Sequence, residues 1–285
     1  ENMAGFERNT TGFTADVEMY DDGTLAKIYR DEIPDEDVQR EILCTEFVQN
    51  KGLDVPEYRG AVAYNGKRAI LLEYIRGEGA MKELTVGDAE PEKLGRDFAD
   101  IHYKIHQCPA AGLEPGKERL AKQLRMSEYC LGTDLMERCL RLLDSLPEMD
   151  RLCHNDFHPG NMIYNEAGKM IVIDWSDATA SNPLSDVAHT VQAFDFGMRA
   201  KPGQGNMSQE SYERMMRARG RIMTFIRSYE SRYAENCGLS TEEFRKKCLP
   251  WDVVVSASRF YREWDCNKGD LLKFFYDYFM EYPVN

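Results

Sequence analysis

The part of the chain that decides the fold reads HNDFHPGN at residues 154–161, followed by IDW at residues 173–175. It brings Asp156, Asn161 and Asp174 into one short strand–turn–strand pattern. One carboxylate can orient a hydroxyl group, while an amide and a second carboxylate supply the oxygen ligands that Mg²⁺ prefers. Phosphoryl transfer from a nucleotide needs these side chains. The stretch therefore predicts Asp156 as the catalytic residue and Asn161 and Asp174 as metal ligands.

Each of these residues also has a simpler explanation when it is considered alone. Asp156 would be a solvated loop residue, and Asn161 a turn residue after Pro-Gly. Asp174 would be a cap at the end of a strand. Because the three occur together and in this order, we favour the functional interpretation.

Composition limits the classes of protein that need consideration. The chain has 285 residues, of which 42% are hydrophobic and 30% charged, and its net charge is −13. The negative charge argues against a nucleic-acid partner, because phosphate backbones select for Lys and Arg. The sequence contains no apolar run near the roughly 20 residues that span a bilayer. We therefore expect no membrane partner and, with no signal peptide visible, a cytoplasmic protein that is a monomer or weak dimer.

The cysteines and histidines give no clear metal motif. None of the 8 cysteines forms a CxxC pair or a zinc-type Cys/His cluster, so free thiols are expected. His102 and His106 have the i, i+4 spacing that can bind Zn²⁺, but the sequence offers no HExxH pattern or third ligand beside them. Packing on a helix face is the favoured interpretation for this pair.

The chain changes character near Gly77. Residues 1–77 predict strands at 13–20, 25–29, 58–64 and 68–74 around one helix at 35–51, with turns at Asp22-Gly23 and Asn65-Gly66. Later segments show helical periodicity, including 94–102, 117–128, 133–146, 184–198, 207–235, 241–265 and 268–280. The predicted fold class is therefore α+β with two lobes, as in protein kinases: a β-rich N-lobe (1–77) and a helical C-lobe (78–285). Many other α+β proteins share this order of elements.

The motif at 154–175 resembles the aminoglycoside phosphotransferase and choline kinase superfamily, whose usual pattern is HxDxxxxN followed by IDW, IDF or IDY. NPLSDVA at 182–188 is similar to the D-P-x-x-D-L-A segment of that superfamily, and FADIH at 98–102 resembles its helix ending in L-A-x-L-H. The resemblance covers most of residues 13–190. It implies that Asp186 shapes the loop that follows His154 rather than touching a ligand.

The same resemblance implies a set of nucleotide contacts. Lys27 would contact the α- and β-phosphates and pair with Glu41, for which Glu46 is the competitor. The backbone of Glu73 and Ile75 would bind the edge of adenine or guanine. The phosphate-covering loop would be residues 9–14, which contain a single glycine instead of G-x-G-x-x-G.

The resemblance thus implies Mg²⁺ as cofactor, ATP or GTP as phosphoryl donor, and a small hydroxylated acceptor. The acceptor could be a cationic molecule, such as an aminoglycoside or choline, or an amino alcohol or sugar. The acidic and aromatic residues of 264–281 either line a pocket for such a cation or belong to the core. One alternative is a metabolic kinase for choline, ethanolamine, homoserine or a sugar. Another, motivated by the degenerate glycine loop, is a nucleotide-binding module without turnover. A protein kinase is disfavoured, because Asp-Trp replaces Asp-Phe-Gly and no Ala-Pro-Glu follows.

Overall fold

The computed structural model describes residues 15–199, 202, 208–261 and 268–282. These residues form two compact units. The first unit comprises the described residues up to Ala80 together with Asn161–Asp177, and the second comprises Met81–Gly160 and the described residues from Ala178 onwards. The chain therefore enters the first unit twice, and the second entry carries Asn161 and Asp174.

An antiparallel sheet with the strand order β1-β2-β4-β3 forms most of the first unit. Its strands are β1 (Ala15–Asp21), β2 (Thr24–Tyr29), β3 (Tyr58–Tyr64) and β4 (Lys67–Glu73). The turn between β3 and β4 contains Asn65 and Gly66 with φ values of 50° and 79°. Positive φ at both central residues is what a tight hairpin turn requires, and Asn and Gly reach it at the lowest cost. The predicted Asn-Gly hairpin is therefore confirmed.

Helix α1 (Asp35–Gln49) packs on one face of this sheet. Val38 of the helix joins a buried cluster with Tyr29 and Ile70. On the opposite face, Ala26 and Ile28 pack in a separate cluster with Ala69 and Leu71. Strand β2 thus contributes buried residues to both faces, as its alternating side chains require. The helix ends two residues before the predicted Lys51, whose N–H instead closes a turn onto the Val48 carbonyl at 3.0 Å.

A smaller three-stranded sheet completes the first unit in the order β5-β7-β8. It contains β5 (Gly77–Gly79), β7 (Met162–Asn165) and β8 (Met170–Val172). Gly77 lies so close to β7 that an added Cβ atom would be 1.8 Å from the Tyr164 carbonyl oxygen. This backbone contact explains why a residue without a side chain is needed at position 77. It also ties the hairpin at 162–172 to the strand that follows the main sheet.

Helices dominate the described part of the second unit. They are α2 (Ala80–Thr85, which begins in the first unit), α3 (Pro91–His106), α4 (Gly116–Met126), α5 (Glu128–Leu131), α6 (Thr133–Ser145), α7 (Pro183–Arg199), α8 (Gln209–Asn236), α9 (Thr241–Ser258) and α10 (Lys268–Glu281). Strands β6 (Arg151–Cys153) and β9 (Thr179–Ser181) form an antiparallel pair. One core cluster joins α4, α6, α7, α9 and α10 through residues such as Leu124, Leu143, Trp251 and Phe275.

Helices α3 and α8 approach each other closely at Gly95, where an added Cβ would be 2.4 Å from the Phe225 carbonyl oxygen. Phe98 of α3 is fully buried and contacts Phe225 edge-on, with ring centroids 5.1 Å apart. Burying one such side chain contributes roughly 1.5–3 kcal/mol. Helix α9 is shorter than predicted: it ends at Ser258 and passes into a 3₁₀ turn at Arg259–Tyr261. Among the described residues, no helix combines the length and hydrophobicity that a bilayer crossing needs.

Candidate active site

Lys27 lies at the centre of a charged cluster in the first unit. Its Nζ donates hydrogen bonds to Glu41 Oε1 at 2.6 Å and to Asp174 Oδ1 at 3.1 Å. The side chains of Lys27 and Glu41 are 13% and 6% exposed, whereas that of Asp174 is 39% exposed. The cluster therefore has a buried side, formed by Lys27 and Glu41, and an open side at Asp174.

Strand and helix periodicity bring Lys27 and Glu41 together. On β2, Lys27 shares a face with Tyr29, which packs against α1, because alternate residues of a strand point the same way. On α1, Glu41 falls on the same buried face as Val38 and Val48. Glu46, the competing candidate, is exposed. The pairing with Glu41 is thus the contact present in the structure.

The charge on Lys27 is stabilised by its two partners. Burial alone would lower the pKa of the ammonium, but the adjacent carboxylates of Asp174 and Glu41 more than offset this, so its pKa is raised. Lys27 therefore remains protonated throughout the physiological pH range. A fixed, desolvated cation of this kind is suited to contacting an anionic group without reorganisation.

Asp174 follows β8 in an unusual backbone conformation, with φ of 60°. Asp tolerates this left-handed region better than most residues, at a cost on the order of 1 kcal/mol. Ser176 Oγ donates to Asp174 Oδ1 at 3.0 Å, and Trp175 Nε1 donates to the Val172 carbonyl at 3.1 Å. The Trp of the IDW element is therefore a buried anchor that secures the turn carrying the carboxylate.

Asn161 lies directly before β7, the first strand of the same hairpin. Its carbonyl oxygen accepts the N–H of Ile173 at 2.9 Å, which continues the β7–β8 pairing by one step. Val172 N–H also donates to the Asp54 carbonyl at 2.9 Å. Strand pairing thus holds Asn161 and Asp174 at the same end of one hairpin, and both carry oxygen donors of the hard type that Mg²⁺ prefers.

The predicted nucleotide-base contacts lie at the end of β4. The N–H of Glu73 donates to the Glu57 carbonyl at 2.8 Å, and Tyr74 N–H donates to the Gly23 carbonyl at 2.8 Å. Ile75 follows in the segment between β4 and β5. Because the Glu73 N–H is already paired, a contact from this residue to a base would involve its carbonyl oxygen. The predicted phosphate-covering loop, residues 9–14, lies outside the described residues, as do Trp264 and Asp265.

Asp156 belongs to the second unit, on the segment 154–160, which we call the motif loop. Its side chain is 46% exposed, and Oδ1 lies 3.5 Å from His158 Nε2. The residues beside it are fully buried: His154, whose Nδ1 accepts the Asp156 N–H at 3.3 Å, and Phe157, whose ring stacks on His102 with centroids 3.9 Å apart. The motif loop thus presents Asp156 between two core anchors.

Asp186 holds the motif loop from α7. Its Oδ2 accepts the N–H of His154, and its Oδ1 accepts the N–H of Asn155 at 2.8 Å. Asn155 has φ of 63°, a strained value that these contacts maintain. Burial would raise the pKa of Asp186, but His102, His106 and the hydrogen bonds hold it well below its usual range. These contacts confirm the prediction that Asp186 shapes the motif loop.

The histidine pair on α3 belongs to the same network, which the sequence did not reveal. His102 Nδ1 and His106 Nδ1 lie 2.9 and 2.5 Å from the hydroxyl oxygens of Tyr229 and Tyr233 on α8. Tyr229 and Tyr233 have the same i, i+4 spacing as His102 and His106, so each histidine of α3 faces one tyrosine of α8. Burial, followed by the neighbouring His106, lowers the pKa of His102 to about 3, which keeps its ring neutral.

An antiparallel sheet carrying a buried Lys–Glu pair and a two-strand hairpin bearing Asn and Asp define a phosphotransferase of the protein-kinase-like class. A family model described as "Phosphotransferase enzyme family" matches residues 14–223. The chain therefore belongs to this family.

Solved structures of similar fold include an ADP-bound aminoglycoside phosphotransferase APH(2'')-Ib, with a TM-score of 0.54 and 17% identity, covering 95% of this chain and 90% of that one. A GDP and kanamycin complex of APH(2'')-IIIa has a TM-score of 0.57 and 12% identity, with coverage of 97% and 93%. Choline kinase LicA from Streptococcus pneumoniae gives 0.50 and 15%, with coverage of 96% and 89%. These likenesses confirm the predicted α+β protein-kinase-like fold.

Curated relatives include acyl-CoA dehydrogenase family member 11 of Pongo abelii and of Homo sapiens, which are 25% and 24% identical over 199 residues. The matched region covers 61% of this chain, and the chain spans about a quarter of the length of these relatives, at 25% in each case.

Proposed function

We propose that the chain transfers the γ-phosphoryl group of ATP or GTP to a hydroxyl group of a small molecule, with Mg²⁺ as cofactor. The observation that carries this proposal is the Lys27 ammonium, buried and fixed by Glu41 next to the more exposed carboxylate of Asp174. Holding three charged groups in this way carries a desolvation penalty, and the stability of the sheet does not require it. Nucleotide phosphotransfer gives each of the three a role.

Lys27 would contact the phosphate oxygens of the bound nucleotide. Glu41 would keep the ammonium in position, since its carboxylate is too buried to reach the ligand itself. An ammonium that is already oriented stabilises phosphate charge without moving during the reaction. Near the base, the carbonyl oxygen of Glu73 and the backbone of Ile75 would bind the edge of adenine or guanine.

Asn161 and Asp174 would hold Mg²⁺. An amide oxygen and a carboxylate oxygen from one hairpin fit a hard cation that keeps several waters and takes only one or two ligands from protein. The side chain of Asp174 is open enough to exchange its contact with Lys27 for a metal ion. When bound, Mg²⁺ would neutralise charge on the phosphate oxygens.

Asp156 would orient the acceptor hydroxyl and accept its proton late in the reaction. An ordinary carboxylate is a weak base, so most of its contribution would come from positioning the attacking oxygen. The half-exposed side chain between buried His154 and Phe157 supports this role, because the anchored backbone limits where the carboxylate can go.

The acceptor is proposed as a small hydroxylated molecule, cationic as in aminoglycosides or choline, or else an amino alcohol or a sugar. Relatives of the same fold have been solved with streptomycin and ATP, and with kanamycin and GDP. Those ligands were bound by the relatives. They are the reason for testing aminoglycosides among the acceptors and for comparing ATP with GTP as the donor. The lobe boundary at residue 77, the cytoplasmic location and the monomeric or weakly dimeric state remain predictions.

The test is a coupled assay of ADP and GDP release over aminoglycosides, choline, ethanolamine, homoserine and sugars. We expect acceptor-dependent release with at least one compound. The variant Asp156→Asn should lower kcat by roughly 10²–10⁴-fold. The matched control, Asp144→Asn, makes the same change at an exposed position on α6 and should keep full activity.

Full turnover by Asp156→Asn on a verified acceptor would show that the assigned mechanism is wrong. Nucleotide-dependent thermal stabilisation without release for any acceptor would instead favour a binding module. The wild-type chain distinguishes these outcomes, because turnover and nucleotide binding are measured on the same preparation.

A further inference from the structure

A second cluster of potential ligand atoms lies in the core of the second unit, separate from the residues assigned to nucleotide and Mg²⁺. It consists of His102 and His106 on α3 and Asp186 on α7, and we call it the His–His–Asp cluster. All three side chains are fully buried. No third ligand stands near the histidine pair in sequence, but Asp186, 80 residues beyond His106, supplies one in the fold.

The donor atoms of the cluster converge on one carboxylate oxygen. His102 Nε2 lies 3.1 Å and His106 Nε2 lies 3.2 Å from Asp186 Oδ2. Ligands that surround a tetrahedral zinc ion at about 2.0–2.1 Å lie roughly 3.3–3.4 Å from one another. The two nitrogen–oxygen separations are therefore within about 0.3 Å of the edges of a zinc tetrahedron.

Hydrogen bonding leaves part of the cluster unsatisfied. His106 Nε2 has hydrogen-bond geometry toward Asp186 Oδ2, whereas His102 Nε2, 3.1 Å from the same oxygen, is not well aligned for a hydrogen bond with it. A buried polar atom with a poorly aligned hydrogen bond is destabilising. The same Asp186 oxygen also accepts the N–H of His154, so it has little capacity left for another donor. A metal ion would use the His102 nitrogen.

The surroundings of the cluster also suit a metal. Ligating histidines are oriented by a hydrogen bond at the ring nitrogen opposite the metal. Here the Nδ1 atoms of His102 and His106 face the hydroxyl oxygens of Tyr229 and Tyr233, which leaves both Nε2 atoms directed at Asp186. Imidazole nitrogens select zinc and its transition-metal neighbours over Mg²⁺.

We propose that the His–His–Asp cluster is a structural zinc site that stiffens the anchor of the motif loop. His102 Nε2, His106 Nε2 and a carboxylate oxygen of Asp186 would be the three protein ligands, with a fourth tetrahedral position taken by a non-protein donor such as water. Binding through Nε2 would require the Nδ1–H tautomer of His106, so the ring proton would move from Nε2 to Nδ1, where the Tyr233 hydroxyl oxygen can accept it. Asp186 would then connect the metal to the backbone of His154 and Asn155.

The full-length chain tests the proposal through its metal content. After purification and dialysis against a weak chelator, elemental analysis should find one zinc per chain. Protein stripped with a strong chelator should take up one equivalent of Zn²⁺ with a rise in Tm that saturates at that equivalent, whereas Mg²⁺ should not compete. Co²⁺ should give the visible absorption of a tetrahedral site.

Variants locate the metal. His102→Gln and His106→Gln should each lose the bound zinc. His158→Gln, the matched control at the half-exposed histidine beside Asp156, should retain it. If the core variants do not fold, X-ray absorption of the zinc-loaded wild type tests the site instead. The proposal expects a spectrum with two imidazole ligands, and a spectrum without them would overturn it. Substoichiometric zinc, no saturable change in Tm, or zinc lost from His158→Gln alone would overturn the proposal.

Discussion

Replacing Asp186 with Asn should destabilise the second unit strongly, although the change is nearly isosteric. In the native chain, the two carboxylate oxygens accept the backbone N–H groups of His154 and Asn155, and Oδ2 also faces His106 Nε2 at 3.2 Å. A carboxamide has one acceptor oxygen and one donor nitrogen. In either orientation, one of the two backbone N–H groups then faces an NH₂ group and loses its acceptor.

The magnitude follows from these contacts. A buried N–H without an acceptor costs about 1–3 kcal/mol, and the retained bond loses the reinforcement of a charged acceptor, roughly 1 kcal/mol more. The weakened contact with His106 adds about 1 kcal/mol. The sum, roughly 3–5 kcal/mol, agrees with the range for breaking a buried ion pair. At about 2–4 °C per kcal/mol, the Tm should fall by roughly 6–20 °C.

The measurement is thermal unfolding of chelator-treated Asp186→Asn, wild type and the exposed control Asp144→Asn, followed by circular dichroism. The pKa of Asp186 lies well below its usual range, so its stabilising effect is present above the unfolded pKa of about 3.9 and is lost only as the pH falls below it. The loss of Tm should therefore be constant between pH 5 and 8. A decrease in Tm of less than about 2 °C, or one equal to that of Asp144→Asn, would refute the assignment of Asp186 as the anchor of the motif loop.

Three further predictions concern other parts of the chain. Lys27→Met should reduce acceptor-dependent nucleotide turnover by roughly 10²–10³-fold in the release assay, because the phosphate charge loses its fixed cation. Gly77→Ala should lower the Tm by several degrees because its Cβ would be 1.8 Å from the Tyr164 carbonyl oxygen, whereas Gly79→Ala, with no atom within 4 Å of its added Cβ, should not. Burial raises the pKa of Asp252 to about 8, so the folded chain retains a proton there and wild-type stability falls as the pH rises from about 4 to 8. Asp252→Asn should match the wild-type free energy of unfolding below about pH 4 and exceed it by up to about 1.4 kcal/mol more per pH unit between about pH 4 and 8, with a constant difference above that. A difference that does not change with pH in denaturant titrations would contradict this.

Local chemistry was the most predictable part of the fold. The Asn65-Gly66 turn follows from the φ angles that a tight hairpin demands, and the β3 and β4 strands around it fall within one residue of their predicted bounds. Helix ends were less predictable, as α9 shows by stopping at Ser258. Periodicity reports which residues face the core, but several successive residues can satisfy the backbone at the end of a helix.

Pairings between distant segments were harder to obtain from sequence. The family resemblance pointed to Glu41 as the partner of Lys27, but the second contact of Lys27, with Asp174, joins residues 147 positions apart. Likewise, the i, i+4 spacing of His102 and His106 was visible, while Asp186 as their common partner was not. Such contacts depend on which elements pack together, and neither propensity nor spacing specifies that packing.

Burial divides the motif loop into residues that hold it and residues that are available for chemistry. His154 and Phe157 are in the core, whereas the side chain of Asp156, between them, is 46% exposed. A carboxylate on an ordinary surface loop would sample many positions, and restricting Asp156 would serve the proposed catalysis through orientation rather than through basicity. The backbone that carries Asp156 is fixed by the carboxylate of Asp186, which is itself fixed by neighbours on α3. The position of the proposed catalytic residue therefore depends on a buried polar network in the core of the second unit.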